Sequence, residues 1–200
     1  MSNYIKFSCE RVAAELTSFG GLAELNEHRQ KLLHLGVIGV DSNGIGFGNL
    51  SLKDGATDSF YITGSATGGI DELTLMNCAK VVTSDFERNF VRYEGSAVPS
   101  SESLTHAAIY KSDAQVEAVI HCHDSKLWGA LLNQAPTTPK RAEYGTPQLA
   151  YEIMQLFTHT DAQSRKIIVT TGHEAGIVTF GKDLEEAFAV LIRERKKNYR

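Results

Sequence analysis

Apolar residues change their spacing along this 200-residue chain, and that change restricts the fold more than any other feature. Val12, Leu16 and Phe19 lie at helical spacing over 9–19, a run stopped by Gly20-Gly21. Leu22, Leu25, Leu32, Leu33 and Leu35 repeat the pattern over 22–35, which ends at Gly36. From Val37 the period shortens. Val37, Ile38 and Val40 lead into Asp41-Ser42-Asn43-Gly44, whose last two residues tolerate the positive φ of a tight turn. Residues 45–53, 59–63, 80–84 and 89–93 then read as strands, an antiparallel block rather than successive βαβ crossovers. Helical spacing returns at 101–111. A strand at 116–120, a helix near 125–132, a loop at 133–146, a helix at 147–158 and strands at 166–171 and 176–180 follow. Asp183 with Glu186 resembles a capping box opening the final helix. Alternating elements with no repeat and no linker predict one α/β domain over 1–200.

Composition adds exclusions. With 42% hydrophobic and 22% charged residues the chain is an ordinary globular sequence, long enough to bury a core. A net charge of -4 argues against a general nucleic-acid binder, which carries a basic face. The basic cluster Arg193, Arg195, Lys196, Lys197 and Arg200 ends a helical stretch, where cations favour the negative helix terminus. Cys9, Cys78 and Cys122 are odd in number and unpaired in spacing, which suits a reducing compartment. The first residues lack the apolar run of a signal peptide, and no stretch approaches the roughly 18–20 apolar residues of a membrane span. The expectation is a cytoplasmic protein.

The sharpest local signal is His121-Cys122-His123 at the end of an apolar, β-branched run. On a strand, residues i and i+2 share a face, so both imidazoles project together and Cys122 points into the packed side. A His-x-His pair alone is either a metal clamp or a polar strand end. His173, just after the apolar strand 167–169, and Glu102, in Pro99-Ser100-Ser101-Glu102 at a helix start, add to it. Three neutral imidazoles and a carboxylate suit Zn²⁺ and tolerate other late first-row ions. Gly44 to Gly48 invite a dinucleotide reading, but an alternating 49–53 follows where a helix should begin, and no Gly-Lys-Ser/Thr exists for a P-loop.

At these residues the chain resembles the class II aldolase/adducin family. Gly48-Asn49-Leu50-Ser51 looks like its Gly-Asn-x-Ser turn, residues 63–68 its Ile-Thr-x-x-Gly loop, and residues 99–102 its Ser-Ser-Glu element. Residues 118–123 resemble its metal strand, Tyr144-Gly145-Thr146 a tripeptide after its substrate loop, and His173 falls where its third histidine is expected. Where the family places Gly directly after that histidine, this chain has Glu174-Ala175-Gly176, which makes Glu174 a candidate additional ligand.

The resemblance implies a three-layer α/β/α sandwich around a mixed, mostly antiparallel sheet. It also implies a homotetramer with active sites at subunit boundaries. It implies one divalent metal per chain, zinc favoured, held by Glu102, His121, His123 and His173. Asn49, Thr67, Gly68, Ser100 and Ser101 are similar to the family's phosphate-binding positions. Glycine lets backbone approach an oxyanion, and serines at a helix start present hydroxyls and amides, although either serine alone could be an ordinary N-cap.

Implied is a retro-aldol lyase acting on a ketose 1-phosphate, with the cation stabilising an enediolate and Glu102 as base. Tyr199 resembles the family's C-terminal tyrosine, a candidate proton donor to the aldehyde; a terminal tyrosine without function is the alternative. Glu143 is a second acid/base candidate, and His106 either orients Glu102 or packs its helix. His28, His34 and His159 read as ordinary polar residues, and Trp128 with Leu127, Leu131 and Leu132 as core. A 4-epimerase, a methylthioribulose-phosphate-type dehydratase and a non-catalytic adducin-like module are the alternatives.

Overall fold

The computed structural model describes residues 6–12 and 14–199; residues 1–5, Ala13 and Arg200, which entered the leader, first-helix and basic-cluster readings, lie outside them. Nine strands form the main sheet: β1 (Ser8–Arg11), β4 (Asn49–Lys53), β5 (Phe60–Thr63), β6 (Cys78–Asp85), β7 (Phe90–Glu94), β8 (Ala118–His123), β9 (Thr137–Glu143), β10 (Ile167–Gly172) and β11 (Gly176–Gly181). Their order is β1-β7-β6-β5-β4-β8-β11-β10-β9. The two outermost pairs, β1 with β7 and β9 with β10, are parallel, and every inner pair is antiparallel. A small hairpin of β2 (Gly39–Val40) and β3 (Gly46–Phe47) stands apart.

Alternation along the strands splits the core into two layers. Phe60, Ile62, Val119, Val178 and Phe180 pack with Leu104, Ala108, Leu149 and Ile153, from α2 (Ser103–Ser112) and α4 (Pro147–His159). Leu50, Ala118, Ile120, Cys122 and Ile177 face the other way. There they meet α1 (Leu22–His34), α3 (Ser125–Leu131) and α6 (Leu184–Asn198). This is the expected α/β/α sandwich with a mixed, mostly antiparallel sheet. A single-turn helix, α5 (Ala162–Arg165), joins α4 to β10.

Several boundaries differ from expectation. Residues 9–19 do not form a helix among the described residues. They begin as edge strand β1, and Val12 N–H continues the pairing by donating to Tyr93 O at 2.7 Å. Leu16 and Phe19 still pack on the core, so their spacing reports burial from extended chain. The expected strand 45–53 breaks at Gly48, whose φ of +81° a side chain would strain. A Cβ there would also lie 2.3 Å from Ile38 Cγ2. The expected loop 133–146 holds β9, an edge strand whose Pro139 accompanies a register shift against β10. At α6 only half a capping box forms: Asp183 Oδ1 accepts from Glu186 N–H at 2.7 Å, but Glu186 Oε2 accepts from Lys182 N–H at 2.8 Å, one residue early.

Candidate metal centre and anion pocket

β8 lies between β4 and β11, and its register sets Asn49 opposite His121 and Gly176 opposite His123. Val119 belongs to the α2/α4 layer, so His121 and His123 leave the sheet on that face. Cys122 points into the opposite layer, where burial, with Asp124 beside it, pushes its thiol up to about 12. Gly176 makes room: a Cβ there would stand 2.3 Å from Thr170 Oγ1 and 3.3 Å from His121 Cε1. The turn from β10 to β11 carries His173, whose carbonyl accepts from Gly176 N–H at 3.0 Å and from Thr170 Oγ1 at 3.2 Å.

These elements bring the three histidines together. His121 Nε2 and His123 Nε2 are 3.2 Å apart, and the His173 ring centroid lies 4.9 Å from His121 and 4.5 Å from His123. One ring nitrogen from each falls within 4.8 Å of the others. Glu102 occupies the N-cap of α2, yet its carboxylate caps no helix N–H. It is 2% exposed, and Oε1 lies 3.3 Å from His173 Nδ1. Neither of its oxygens has an aligned hydrogen-bond partner among the described residues. The same holds for His121 Nδ1 and His173 Nδ1.

Buried polar atoms left unpaired cost about 1–3 kcal/mol each, so such a concentration marks a place where something else binds. The donor set, three imidazoles with a carboxylate, fits a divalent cation. The protonation states fit too. Burial alone would raise the Glu102 pKa, but His121, His173 and His106 outweigh it and hold the carboxyl well below its usual range. Burial, then His173, pulls His123 down to about 4, and burial drives His121 below its ordinary value against the pull of Glu102. Neutral imidazoles beside an ionised carboxylate are the forms that bind metal.

The centre forms part of the wall of a cavity of about 650 Å³ that also exposes Asn49, Thr67, Gly68, Ser100 and Ser101. All the expected metal and phosphate positions therefore share one space. Ser100 is not the side-chain N-cap of α2, since Glu102 takes that position; Ser100 Oγ accepts from Glu102 N–H at 3.3 Å. Ser65 staples the glycine loop to this segment, its N–H donating to Val98 O at 2.8 Å and its hydroxyl to Pro99 O at 3.0 Å. Gly68 is jammed against the β2–β3 hairpin, where a Cβ would stand 2.1 Å from Gly39 O. Asn49 is 6% exposed with its Oδ1 unpaired.

Tyr199 is not brought to this cavity within the chain. Its hydroxyl donates to Asp124 Oδ1 and its ring packs with the α1/α3/α6 layer, because Asp124, itself paired with Arg195 at 2.8 Å, points away from the histidines. Glu143 pairs with Lys6 at 3.3 Å and, like Glu174, lies outside the lining. Trp128 is structural, donating to Thr170 O at 2.9 Å. His28 is buried and contacts Glu185 at 3.1 Å. His106 packs in α2 as part of a hydrogen-bonded group: Ser51 Oγ lies 2.6 Å from both His106 Nδ1 and Tyr110 Oη. The sequence alone gives Tyr144 no site role. Its ring stacks on His173 at 4.5 Å and lines the cavity, a placement that only the β9–α4 turn reveals.

Residues 41–193 match the family model described as the Class II Aldolase and Adducin N-terminal domain. An L-fuculose phosphate aldolase of Methanococcus maripaludis is 30% identical over 149 residues, 70% of this chain and 76% of that protein. The corresponding protein of Methanocaldococcus jannaschii is 29% identical over 154 residues with the same coverage. The L-fuculose-1-phosphate aldolase structure from Thermus thermophilus superposes with a TM-score of 0.64 at 17% identity, covering 89% of this chain and 90% of that one. At that identity the superposition speaks for the fold alone.

Proposed function

We propose, for a chain that belongs to the class II aldolase and adducin family, a divalent-metal-dependent lyase that cleaves a ketose 1-phosphate by a retro-aldol reaction. The observation that carries this reading is the buried, unpaired Glu102 carboxylate among His121, His123 and His173, in one cavity with Asn49, Thr67, Gly68, Ser100 and Ser101. His121, His123 and His173, with Glu102, would hold a divalent cation, zinc in our reading, which would supply Lewis acidity to the substrate.

The chain's own residues do the rest. Small polar side chains and loop amides hold the phosphoryl group and so fix which carbon lies beside Glu102. Glu102 exchanges the proton at that carbon, and its low pKa favours the ionised form between turnovers. A second group must exchange the proton at the aldehyde oxygen. Tyr144 is the phenol that the chain itself places in the cavity. Tyr199 serves only if the tail of a neighbouring copy leaves Asp124 and crosses a subunit boundary. A homotetramer with cavities at those boundaries belongs to the same proposal.

The test is release of glycerone phosphate from a panel of ketose 1-phosphates in a coupled reductase assay, with metal supplied. L-fuculose 1-phosphate heads the panel because the two relatives are named for it. Silence across the panel, with conversion of ribulose 5-phosphate to xylulose 5-phosphate instead, would replace the lyase with a 4-epimerase.

A further inference from the structure

Arg29, in the middle of α1, is 2% exposed. A guanidinium so buried is normally paired with a carboxylate. Among the described residues none lies within ion-pair distance; its hydrogen bonds go to three backbone carbonyls. Nη2 donates to Thr67 O at 2.7 Å and Gly68 O at 3.1 Å, and Nη1 donates to Asp71 O at 3.1 Å. Burial lowers its pKa, opposed by the more distant Asp71 carboxylate and Cys78 thiol, and an arginine remains charged through such a shift.

The other side of the same loop is the complement. Ala66, Thr67 and Gly68 line the cavity, and their three successive N–H groups have no acceptor among the described residues. The loop is polarised across its thickness, with carbonyls turned back onto a cation and amides left for the cavity. Thr67 Oγ1 donating to Gly64 O at 2.8 Å and the positive φ of Ala66, +61°, hold that curvature. Successive free amides in such a turn form an anion nest. A positive charge behind the nest, screened from water, strengthens it.

We propose that Arg29 is the positioning residue and buried counter-charge of the phosphate subsite, acting on the substrate's phosphoryl group through the Thr67–Gly68 loop. It never touches the ligand. A bound dianion completes an ion pair that the empty fold leaves open, and the grip on two carbonyls keeps the amides aimed at the anion. This rests on the phosphate reading of the cavity given above.

The test is inorganic phosphate binding to the metal-loaded protein, followed by titration calorimetry, for wild type, Asn49→Ala, Arg29→Gln and Arg29→Lys. Gln keeps donors for the carbonyls and removes the charge. Lys keeps the charge and gives up the planar fork. Arg29→Gln should weaken phosphate by about 10²- to 10³-fold, the scale of a unit charge acting on a dianion about 8–12 Å away at an effective dielectric near 20. Arg29→Lys should recover most of that loss. In turnover, Arg29→Gln should raise KM for the phosphorylated ketose far more than it lowers kcat.

Phosphate binding by Arg29→Gln at wild-type strength, with Asn49→Ala weakened, overturns the proposal and leaves the phosphate subsite standing. No phosphate binding by wild type overturns both. Should Arg29→Gln not fold, Arg29→Lys decides: binding close to wild type supports the charge, and a collapse of binding in a folded protein refutes it.

Discussion

Replacing Ser51 by alanine removes one oxygen and strands two neighbours. Ser51 is fully buried on β4, and its Oγ sits 2.6 Å from both His106 Nδ1 and Tyr110 Oη. Burial raises the Tyr110 pKa far above its ordinary value, so the phenol keeps its proton. Burial pulls His106 down to about 4 against the attraction of Glu102, so its ring is neutral. Ser51→Ala therefore leaves two buried polar atoms, His106 Nδ1 and Tyr110 Oη, unpaired. At about 1–3 kcal/mol each the loss should be about 2–6 kcal/mol. For a chain of this size that lowers Tm by roughly 4–24 °C. Tyr110→Phe leaves the Ser51–His106 bond intact and should cost only about 1 kcal/mol. In the double variant His106 alone is stranded, so its loss should fall short of the sum of the two single losses by about 2–4 kcal/mol. Urea unfolding of the four proteins measures this cycle. Additivity within about 0.5 kcal/mol would refute the shared-hydroxyl reasoning.

Two other perturbations test the site. Tyr144→Phe should lower kcat by about 10²- to 10⁴-fold, the usual range for losing a positioned acid–base group, while phosphate binding is retained; unchanged turnover removes Tyr144 from proton transfer. Metal-free protein should lose stability as pH falls from about 6.5 toward 4. His106 and His123 sit near 4 when folded and near 6.5 when unfolded, so the unfolded chain takes up protons first in that window. Their contribution is fully present above it. Urea midpoints at several pH values check the sign, and a midpoint that rises on acidification contradicts it.

What could be read from the sequence follows physical lines. The metal strand was legible because an apolar run of period two ends in histidines spaced by that same period, and strand geometry alone puts them on one face. A single α/β domain with an antiparallel block followed from the order of helical and strand periods, and the α/β/α layering from the family resemblance. The gathering of Glu102 and His173 with Asn49, Thr67, Gly68, Ser100 and Ser101 in one cavity needed the family resemblance, because nothing local says that distant turns will meet. β9 escaped notice because Thr137–Glu143 is polar, carries Pro139 and lies at an edge, so it lacks the apolar alternation that betrays an inner strand. The first helix was over-read because extended chain can also bury every third or fourth residue. Arg29 had no sequence signal: on a helix face it reads as solvated, and only tertiary contact with three carbonyls shows otherwise. Tyr199 is matched by resemblance alone, and within the chain its hydroxyl is bound to Asp124.

The most direct test of the account is metal content per chain, by elemental analysis, for the wild type and for the double variant His121→Ala plus His123→Ala. The account predicts a near-stoichiometric divalent metal in the wild type and its loss from a double variant that still folds. Wild-type protein that binds none after incubation with zinc, manganese or cobalt, or a double variant that keeps its metal, would contradict it.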